Sequence, residues 1–578
     1  MNTIHGYQDW LNSSIIDIDT KKELLRIKGN QKEIEDRFYK ELSFGTGGLR
    51  GIVGAGTNRL NIYTIRKITQ GLANYIKKNQ REPEIQTVVI AYDCRHDSDT
   101  FALEAALVLA ANDIKAYLFD SLRPTPELSY AVRHLKCSAG IVITASHNPP
   151  KYNGYKVYGS DGGQITLNMA NGIIQEIGAI DLFSDVKTID QQEAMDKNLL
   201  VYIGAKVDRS YLSEVVNLSF RKEIAKQVKD FRIVYTPLHG TGLMLIKKAL
   251  KILGYRNVYL VKSQINPDGN FPTVKSPNPE EREALAEGIK LAQNIDADLV
   301  LGTDPDGDRV GIAAKTSRGI YQVLTGNQVG ALLTNYIVTS KKRISSKDAV
   351  IKTIVTSDLG AKIAESYGAT VFNTLTGFKF IGEKMKEFEE SQEYIFLFGY
   401  EESYGYLAGT FVRDKDAVIA SILITEMTAY YQSIGMTLFD VLEKIYREYG
   451  YYSDFLESLT FNGKEGQEKI KEIYEKFRNK KTLLKIFHNL ECIEDYQSQV
   501  RITPKFSKAE LIDLPKAEVI KVFLKDGSWF AVRPSGTEPK LKIYYSTIGN
   551  SSEKSKEILD KLKQKIQRFL INAEATTF

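Results

Sequence analysis

Residues 87–114 read TVVIAYDCRHDSDTFALEAALVLAANDI. The first six are β-branched or apolar without alternation, the pattern of a strand buried on both faces. From Phe101 onward apolar side chains recur with the period of a buried helix. A buried strand, a polar turn and a helix packed back on the strand make up the repeating unit of a parallel α/β sheet. The same arrangement returns at 231–254, FRIVYTPLHGTG followed by LMLIKKALKILG, and at 348–368, DAVIKTIVTSDLG followed by AKIAESYG. Three segments that begin alike predict three related α/β domains, although no sequence identity joins them.

Outward from this core the patterning changes. Toward the N-terminus, residues 19–42, DTKKELLRIKGNQKEIEDRFYKEL, carry helical spacing with a capping box expected from Thr20 to Glu23, and they lead into the glycine-rich loop FGTGGLRGIVGAG at 44–56. Beyond about residue 450, the stretch 463–487 is charged and helical. Residues 517–547 then alternate around Asp526-Gly527, a hairpin signal, and an amphipathic helix is expected from Ser551. A smaller C-terminal α+β domain is therefore predicted. The expected boundaries are 1–205, 206–322, 323–452 and 453–578, with no long Pro/Gly linker between them.

A chain of 578 residues is too long for one hydrophobic core. Hydrophobic residues make up 43% and charged residues 26%, an ordinary globular composition. The net charge of +5 gives no reason to expect nucleic acid, and an anionic small molecule suits it equally well. No apolar run approaches a membrane span, and MNTIHGYQDWLNSS at 1–14 lacks the basic flank and apolar centre of a signal peptide, so a cytoplasmic protein is expected. Cys94, Cys137 and Cys492 form no CxxC pair and read as reduced thiols.

Four motifs carry chemistry. In LVLGTDPDGDRVGI, 299–312, a buried strand delivers Asp304, Asp306 and Asp308 at alternate positions on a turn made possible by Gly307. Hard carboxylate oxygens of this kind suit Mg²⁺. An EF-hand would need glycine at position six and glutamate at position twelve, where Arg309 and Lys315 stand. In AGIVITASHNPPKYNGYKVY, 139–158, a second buried strand ends at Thr144, Ala145, Ser146 and His147. This is no GxSxG elbow, and a serine placed here can carry a phosphoryl group whose oxygen would complete the metal site. In AVRPSGTEPKLKIYY, 531–545, Arg533, Ser535, Gly536 and Thr537 combine a guanidinium fork, two hydroxyls and a permissive backbone, a set that suits a phosphate. In FGYEESYGYLAGTFVRDKDA, 398–417, preceded by LTGFKF at 375–380, Glu401 and Ser403 can bind sugar hydroxyls.

TASHNP, DPDGDR, YEESYG and RPSGTEP, in that order and spread over nearly the whole chain, resemble the α-D-phosphohexomutases, and among them the long-chain phosphoglucomutase and phosphopentomutase group. The resemblance implies four domains around a central cleft, three similar α/β domains and a C-terminal α+β domain, each contributing one motif. It implies that Ser146 carries the phosphoryl group and, with Asp304, Asp306 and Asp308, ligates Mg²⁺. It implies that Glu401 and Ser403, with Thr376, Gly377 and Lys379 of the preceding TGFKF stretch, contact the sugar phosphate. Arg533, Ser535, Gly536 and Thr537 would hold the phosphate that is not reacting. Arg50, His147, Lys156, Arg309, Lys379 and Lys415 also fall at motif positions, and the general acid or base is expected among them, Lys156 first. The implied reaction interconverts glucose 1-phosphate and glucose 6-phosphate through glucose 1,6-bisphosphate, with small sugar phosphates as partners, no nucleic acid and no membrane.

Two departures qualify the resemblance. The family's first loop usually reads TSGLR, whereas Gly47 replaces the serine here, so Arg50 carries over and the hydroxyl does not. YEESYG stands where many phosphomannomutase-like members have GEMSGH, which favours the glucose and pentose branch over mannose. Phosphopentomutase, phosphomannomutase, an inactive sugar-phosphate-binding relative and a phosphatase using an aspartyl nucleophile stay open on sequence alone.

Overall fold

The computed structural model describes residues 3–45, 47–79, 86–461, 463–503, 509–535 and 540–575. The chain divides into two compact units, one of Met1–Gly326, Lys347–Ala349 and Phe378–Thr437, the other of Asn327–Ser346, Val350–Gly377 and Leu438–Phe578.

In the first unit, β1 (Gly48–Ile52), β2 (Thr87–Tyr92), β3 (Lys115–Phe119), β4 (Ala139–Ile143), β5 (Tyr152–Gly159) and β6 (Leu200–Ile203) form a sheet of order β1-β5-β4-β2-β3-β6. β2, β3, β4 and β6 run parallel, and β5 and β1 add an antiparallel edge. The helix Ser98–Ala111 buries Phe101, Ala102, Ala105, Ala106 and Leu109 in the same core as Val88, Ile90, Ile141 and Ile143, the strand and helix unit expected from residues 87–114. At the sheet edge Gly48 has φ +135°, and a Cβ there would lie 2.1 Å from the Tyr155 carbonyl oxygen. Only glycine therefore lets β1 approach β5.

The second strand and helix unit builds a further sheet, β11-β10-β9-β7-β8, from β7 (Arg232–Thr236), β8 (Asn257–Leu260), β9 (Leu299–Thr303), β10 (Val310–Lys315) and β11 (Tyr321–Leu324). β7, β8 and β9 are parallel, and β10 and β11 turn back as antiparallel strands. Both sheets therefore aim the C-terminal ends of buried parallel strands, β4 and β9, at the serine and aspartate turns, where α/β sheets place their ligands.

The third strand and helix segment predicted from sequence is present as β12 (Asp348–Thr353), the helix Leu359–Ser366 and β13 (Thr370–Thr374). β14 (Ile395–Glu401) and β15 (Gly405–Ala408) form an antiparallel hairpin in the first compact unit, with Glu401 opposite Gly405.

Two expectations at the N-terminus are corrected. Residues 19–42 hold two helices, Ile18–Arg26 and Gln31–Phe38, because Gly29 adopts φ +88° and Asn30 caps the second. The first helix is capped by Asp17, not Thr20, in keeping with the preference of aspartate for that position. Asp17 Oδ1 accepts from the Thr20 N–H at 2.8 Å, and Tyr63 donates to Asp17 Oδ2 at 2.6 Å. Glu23 does not close a capping box, since it accepts from the Ala55 N–H at 3.1 Å and pairs with Arg37. A helix that sequence reading missed, Thr3–Asn12, buries Trp10 against Phe38 and Tyr63.

The C-terminal part of the second unit is an antiparallel sheet of seven strands, order β16-β22-β21-β20-β17-β18-β19: β16 (Tyr451–Thr460), β17 (Leu490–Asp495), β18 (Val500–Ile502), β19 (Glu510–Leu511), β20 (Ile520–Leu524), β21 (Trp529–Pro534) and β22 (Lys540–Gly549). The hairpin expected at Asp526-Gly527 joins β20 to β21, with Gly527 at φ +83°. Ile520, Val522, Phe530, Val532, Ile543 and Tyr545 make its apolar face, packed on Ile473 and Phe477 of the helix Gly463–Arg478 and on Ile566 and Phe569 of the helix Ser552–Ala575. Phe477 is fully buried, with its ring 4.6 Å from that of Phe569. Phe477→Ala is expected to cost about 3–5 kcal/mol in this domain. Calorimetry should then show the transition of the C-terminal domain moving to lower temperature, and an unchanged melting profile would contradict the packing described.

Candidate functional site

The aspartate turn follows directly from β9. Every residue of that strand is buried, so the chain emerges from the core at Asp304 with no room to splay. Asp304 Oδ1 accepts from the N–H groups of Asp308 (3.1 Å) and Arg309 (3.0 Å), and Gly307, at φ +65°, reverses the chain where a Cβ would press within 2.8 Å of Pro124. Asp306 is held from the first sheet's side by Thr125, whose N–H donates to its carbonyl at 2.8 Å and whose hydroxyl donates to Oδ2 at 3.1 Å. The result is three carboxylates exposed by 1% or less, with one oxygen from each lying within 4.8 Å of the others. Oδ1 of Asp306 and Oδ1 of Asp308 are buried and have no hydrogen-bond partner among the described residues. An all-oxygen donor set with two lone carboxylate oxygens fits a hard divalent cation.

The serine turn is built around Asp93 and Arg95, which follow β2. Thr144 donates to Asp93 Oδ2 at 2.6 Å and accepts from the Ser146 N–H at 2.8 Å. Ser146 takes a left-handed φ of +52°. Such a conformation is costly for a residue with a side chain unless its surroundings enforce it. Arg95 supplies that enforcement. Its Nη1 donates to the carbonyls of Pro149 (3.0 Å) and Tyr152 (2.9 Å), its Nη2 bonds the carbonyls of Ser146 and Asn148, its Nε lies 3.4 Å from Asp93 Oδ2, and the guanidinium stacks 5.0 Å from the Phe271 ring centroid. Held in this way, Ser146 Oγ donates to Asp304 Oδ2 at 2.8 Å and lies 3.1 Å from His147 Nδ1.

Cations surround the two turns. Lys156 on β5 donates to Asp306 Oδ2 at 2.7 Å and to Asp308 Oδ2 at 3.4 Å, and Lys415 Nζ lies 2.8 Å from Asp308 Oδ2. Arg309 pairs with Glu280, and Arg50 on β1 donates to Asn148 Oδ1 at 3.1 Å. Burial and the charges of Asp306 and Asp308 push Asp304 well above the usual carboxylate range. Burial would do the same to Asp306, but Lys156 outweighs it and holds that carboxyl down. Burial opposes the charge on Lys156, and the two aspartates reverse that effect, so its ammonium persists above the ordinary lysine range. Lys415 is raised in the same way, against burial, by Asp308 and Asp414. His147 is pushed well below its normal value by burial and by the charges of Arg309 and Arg50.

The structure thus gathers Ser146, His147, Arg50, Lys156, the three aspartates, Arg309 and Lys415 in one place. Glu401, 4% exposed at the end of β14, contributes its charge to the field at Arg309 and Lys415. Ser403 lies in the β14–β15 turn, and Lys379, half-buried at the start of the helix Phe378–Ser391, is pushed below the ordinary lysine range by burial. Thr376, Gly377, Arg533 and Ser535 belong to the second compact unit. There Gly377 has φ +119°, Arg533 stands on β21 opposite Lys542, and the Ser535 N–H donates to the Lys540 carbonyl at 2.8 Å. Gly536 and Thr537 lie outside the described residues.

Asp93, Arg95, Thr125 and Glu280 are residues that sequence reading missed. A signal for the first two exists, since YDCR places an acid and a guanidinium at the end of a buried strand. What it cannot give is the distance of 51 residues from Arg95 to Ser146. The aspartate triad is expected to bind Mn²⁺, a divalent probe visible by electron paramagnetic resonance, and Asp306→Asn to weaken that binding at least about tenfold. Equal affinity in the variant would contradict the assignment of these oxygens as ligands.

Four family models match in order along the chain: phosphoglucomutase/phosphomannomutase alpha/beta/alpha domains I, II and III over residues 41–183, 209–319 and 325–449, and the C-terminal domain over 467–565. The chain is 42% identical over 527 residues to a phosphoglucomutase of Staphylococcus haemolyticus strain JCSC1435, covering 91% of this chain and 94% of the relative. It is 41% identical over 522 residues to the phosphoglucomutase of Staphylococcus aureus strain USA300, covering 89% and 92%. The fold matches the solved structure of the Paramecium phosphoprotein pp63/parafusin, a phosphoglucomutase, with a TM-score of 0.70 at 18% identity over 92% of this chain and 96% of that one. A phosphoglucomutase/phosphomannomutase family protein of Burkholderia thailandensis matches with a TM-score of 0.63 at 19% identity, over 91% and 97%. Matches to all four domains, together with 42% identity to a relative over most of the length, place this chain in the phosphoglucomutase/phosphomannomutase family.

Proposed function

We propose that the protein interconverts α-D-glucose 1-phosphate and glucose 6-phosphate through a phosphorylated Ser146 and glucose 1,6-bisphosphate, acting in the cytoplasm on small sugar phosphates. The observation that carries this reading is the 2.8 Å hydrogen bond between Ser146 Oγ and Asp304, which brings the hydroxyl of a left-handed serine against the buried carboxylates. The relatives named phosphoglucomutase, at 42% and 41% identity over 91% and 89% of the chain, support glucose as the sugar. The four domains are assigned to 1–205, 206–322, 323–452 and 453–578.

Asp304, Asp306 and Asp308, with an oxygen of the Ser146 phosphate, would hold Mg²⁺, which when bound offsets negative charge on the transferring phosphoryl group. The sugar's free hydroxyl oxygen forms a new P–O bond as the bond to Ser146 Oγ breaks, and the electron pair of that bond goes to Oγ. The hydroxyl proton passes to a general base and a proton returns to Oγ. Lys156 is assigned both halves of this exchange, in an order that balances: its ammonium, aimed into the site by Asp306 and Asp308, donates a proton to Oγ as the bond to phosphorus breaks, and the amine so formed takes the proton of the sugar hydroxyl. Reversal with the bisphosphate turned end for end returns the other phosphate to Ser146. Arg50, His147, Arg309 and Lys415 supply positive charge or hydrogen bonds around the transferring group. Glu401 and Ser403, with Thr376, Gly377 and Lys379, read the sugar and its approach. Arg533, Ser535, Gly536 and Thr537 bind the unreactive phosphate in both orientations.

With Mg²⁺ and a trace of glucose 1,6-bisphosphate, the wild type is expected to turn over glucose 1-phosphate faster than mannose 1-phosphate or ribose 1-phosphate, and Ser146→Ala to lose at least about 10³-fold in kcat. Faster turnover of ribose 1-phosphate would keep the mechanism and change the substrate, while full activity in Ser146→Ala would remove the phosphoserine. Arg95→Lys, which keeps the charge but cannot span four carbonyls, should lower kcat about 10²-fold with KM nearly constant, since it misplaces the nucleophile rather than the binding groups. A raised KM at unchanged kcat would contradict that role.

A further inference from the structure

The two faces of the seven-stranded sheet differ in chemistry. Opposite the apolar face, the cross-strand register sets Lys521 beside Ala531, Phe523 beside Trp529, Trp529 beside Ser546, and Ser546 beside Asp454. Alternate residues of a strand share a face. Arg533 therefore lies on this second face with Trp529 and Ala531, next along β21 from the residue that Lys521 adjoins.

The turn 354–358, which follows β12, is bonded to this face. Lys521, only 4% exposed, donates through Nζ to the Ile354 carbonyl at 2.7 Å, and the same ammonium stands 4.0 Å from the Trp529 ring centroid and 4.6 Å from that of Phe523. Trp529 Nε1 donates to Asp358 Oδ2 at 2.9 Å, and Asp358 Oδ1 pairs with Lys352 Nζ at 2.8 Å. Lys352 also donates to the Thr356 carbonyl at 3.1 Å, and the Ser357 N–H to Asn327 Oδ1 at 3.1 Å. Burial lowers Lys521 to about 8, Asp358 opposing the shift and Lys352 adding to it. An ammonium buried at such a cost is a poor device for stability, because apolar residues of similar volume pack at least as well. What it provides is direction: one lysine meets one carbonyl, and one indole meets one carboxylate.

We propose that Lys521, Trp529 and Asp358 are positioning residues for Arg533, seating β21 on the 354–358 turn so that the guanidinium meets the unreactive phosphate of the sugar at one fixed position. The proposal rests on the phosphate-binding reading of Arg533 given above. None of the three touches substrate; they act through the strand that carries Arg533.

The experiment measures kcat and KM for glucose 1-phosphate, with melting temperature, in Lys521→Met, Trp529→Phe and Arg533→Ala, and in each of the first two combined with Arg533→Ala. Trp529→Phe keeps an aromatic ring and removes the N–H, so it remains informative if Lys521→Met folds poorly. Each single positioning variant is expected to raise KM at least about fivefold with kcat within about twofold, and to have no further effect once Arg533 is alanine. Additive effects in the Arg533→Ala background, or a wild-type KM in a folded Trp529→Phe, would overturn the positioning role while leaving the phosphate reading intact. A wild-type KM in Arg533→Ala would instead remove the phosphate reading, and this proposal with it.

Discussion

Asp304, Asp306 and Asp308 repel one another at short range, each exposed by 1% or less, and the groups packed around them offset that repulsion. Leaving the charges uncompensated would cost several kcal/mol for each ion. Lys156 and Lys415 come from separate elements to offset part of it, and two backbone N–H groups satisfy Asp304 Oδ1. One oxygen each on Asp306 and Asp308 is left without a hydrogen-bond partner among the described residues. The turn that creates the repulsion therefore also gathers carboxylate oxygens of a kind that suits a hard cation. It fixes where the serine must stand as well, since Ser146 donates to the same carboxylate that closes the turn.

Strain at Ser146 and order around it are two sides of one arrangement. A left-handed serine survives because Arg95 collects four carbonyls of the turn and is itself held between Asp93 and the Phe271 ring. Phe271 is also left-handed, at φ +48°, and comes from the loop after β8, so the second sheet's domain helps set the geometry of the Ser146 turn. The orientation of the Ser146 hydroxyl is thus set by contacts within the protein.

Much of this is legible from sequence where the information is local. The aspartate turn can be read because three carboxylates and Gly307 fall together directly after a buried strand. The serine turn, the strand and helix units and the Asp526-Gly527 hairpin are legible for the same reason. The failures share a physical cause, which is a partner far away in the chain. Thr20 has the look of a cap, but Tyr63, 46 residues from Asp17, fixes the cap one turn earlier. Arg95 reads as a loop arginine until its carbonyls 51 to 57 residues away are known. Lys521 and Trp529 read as alternating strand residues, and only the contact across 167 and 171 residues to Ile354 and Asp358 gives them a role.

The central claim is that Ser146 carries the phosphoryl group while the aspartates do not. It is tested most directly by incubating the protein with glucose 1,6-bisphosphate labelled with ³²P, digesting it and mapping the modified peptide by mass spectrometry. The account predicts acid-stable label on the peptide containing TASHNPP, at Ser146, and none in Ser146→Ala. Label on the peptide containing DPDGD, or label that persists in Ser146→Ala, would contradict it.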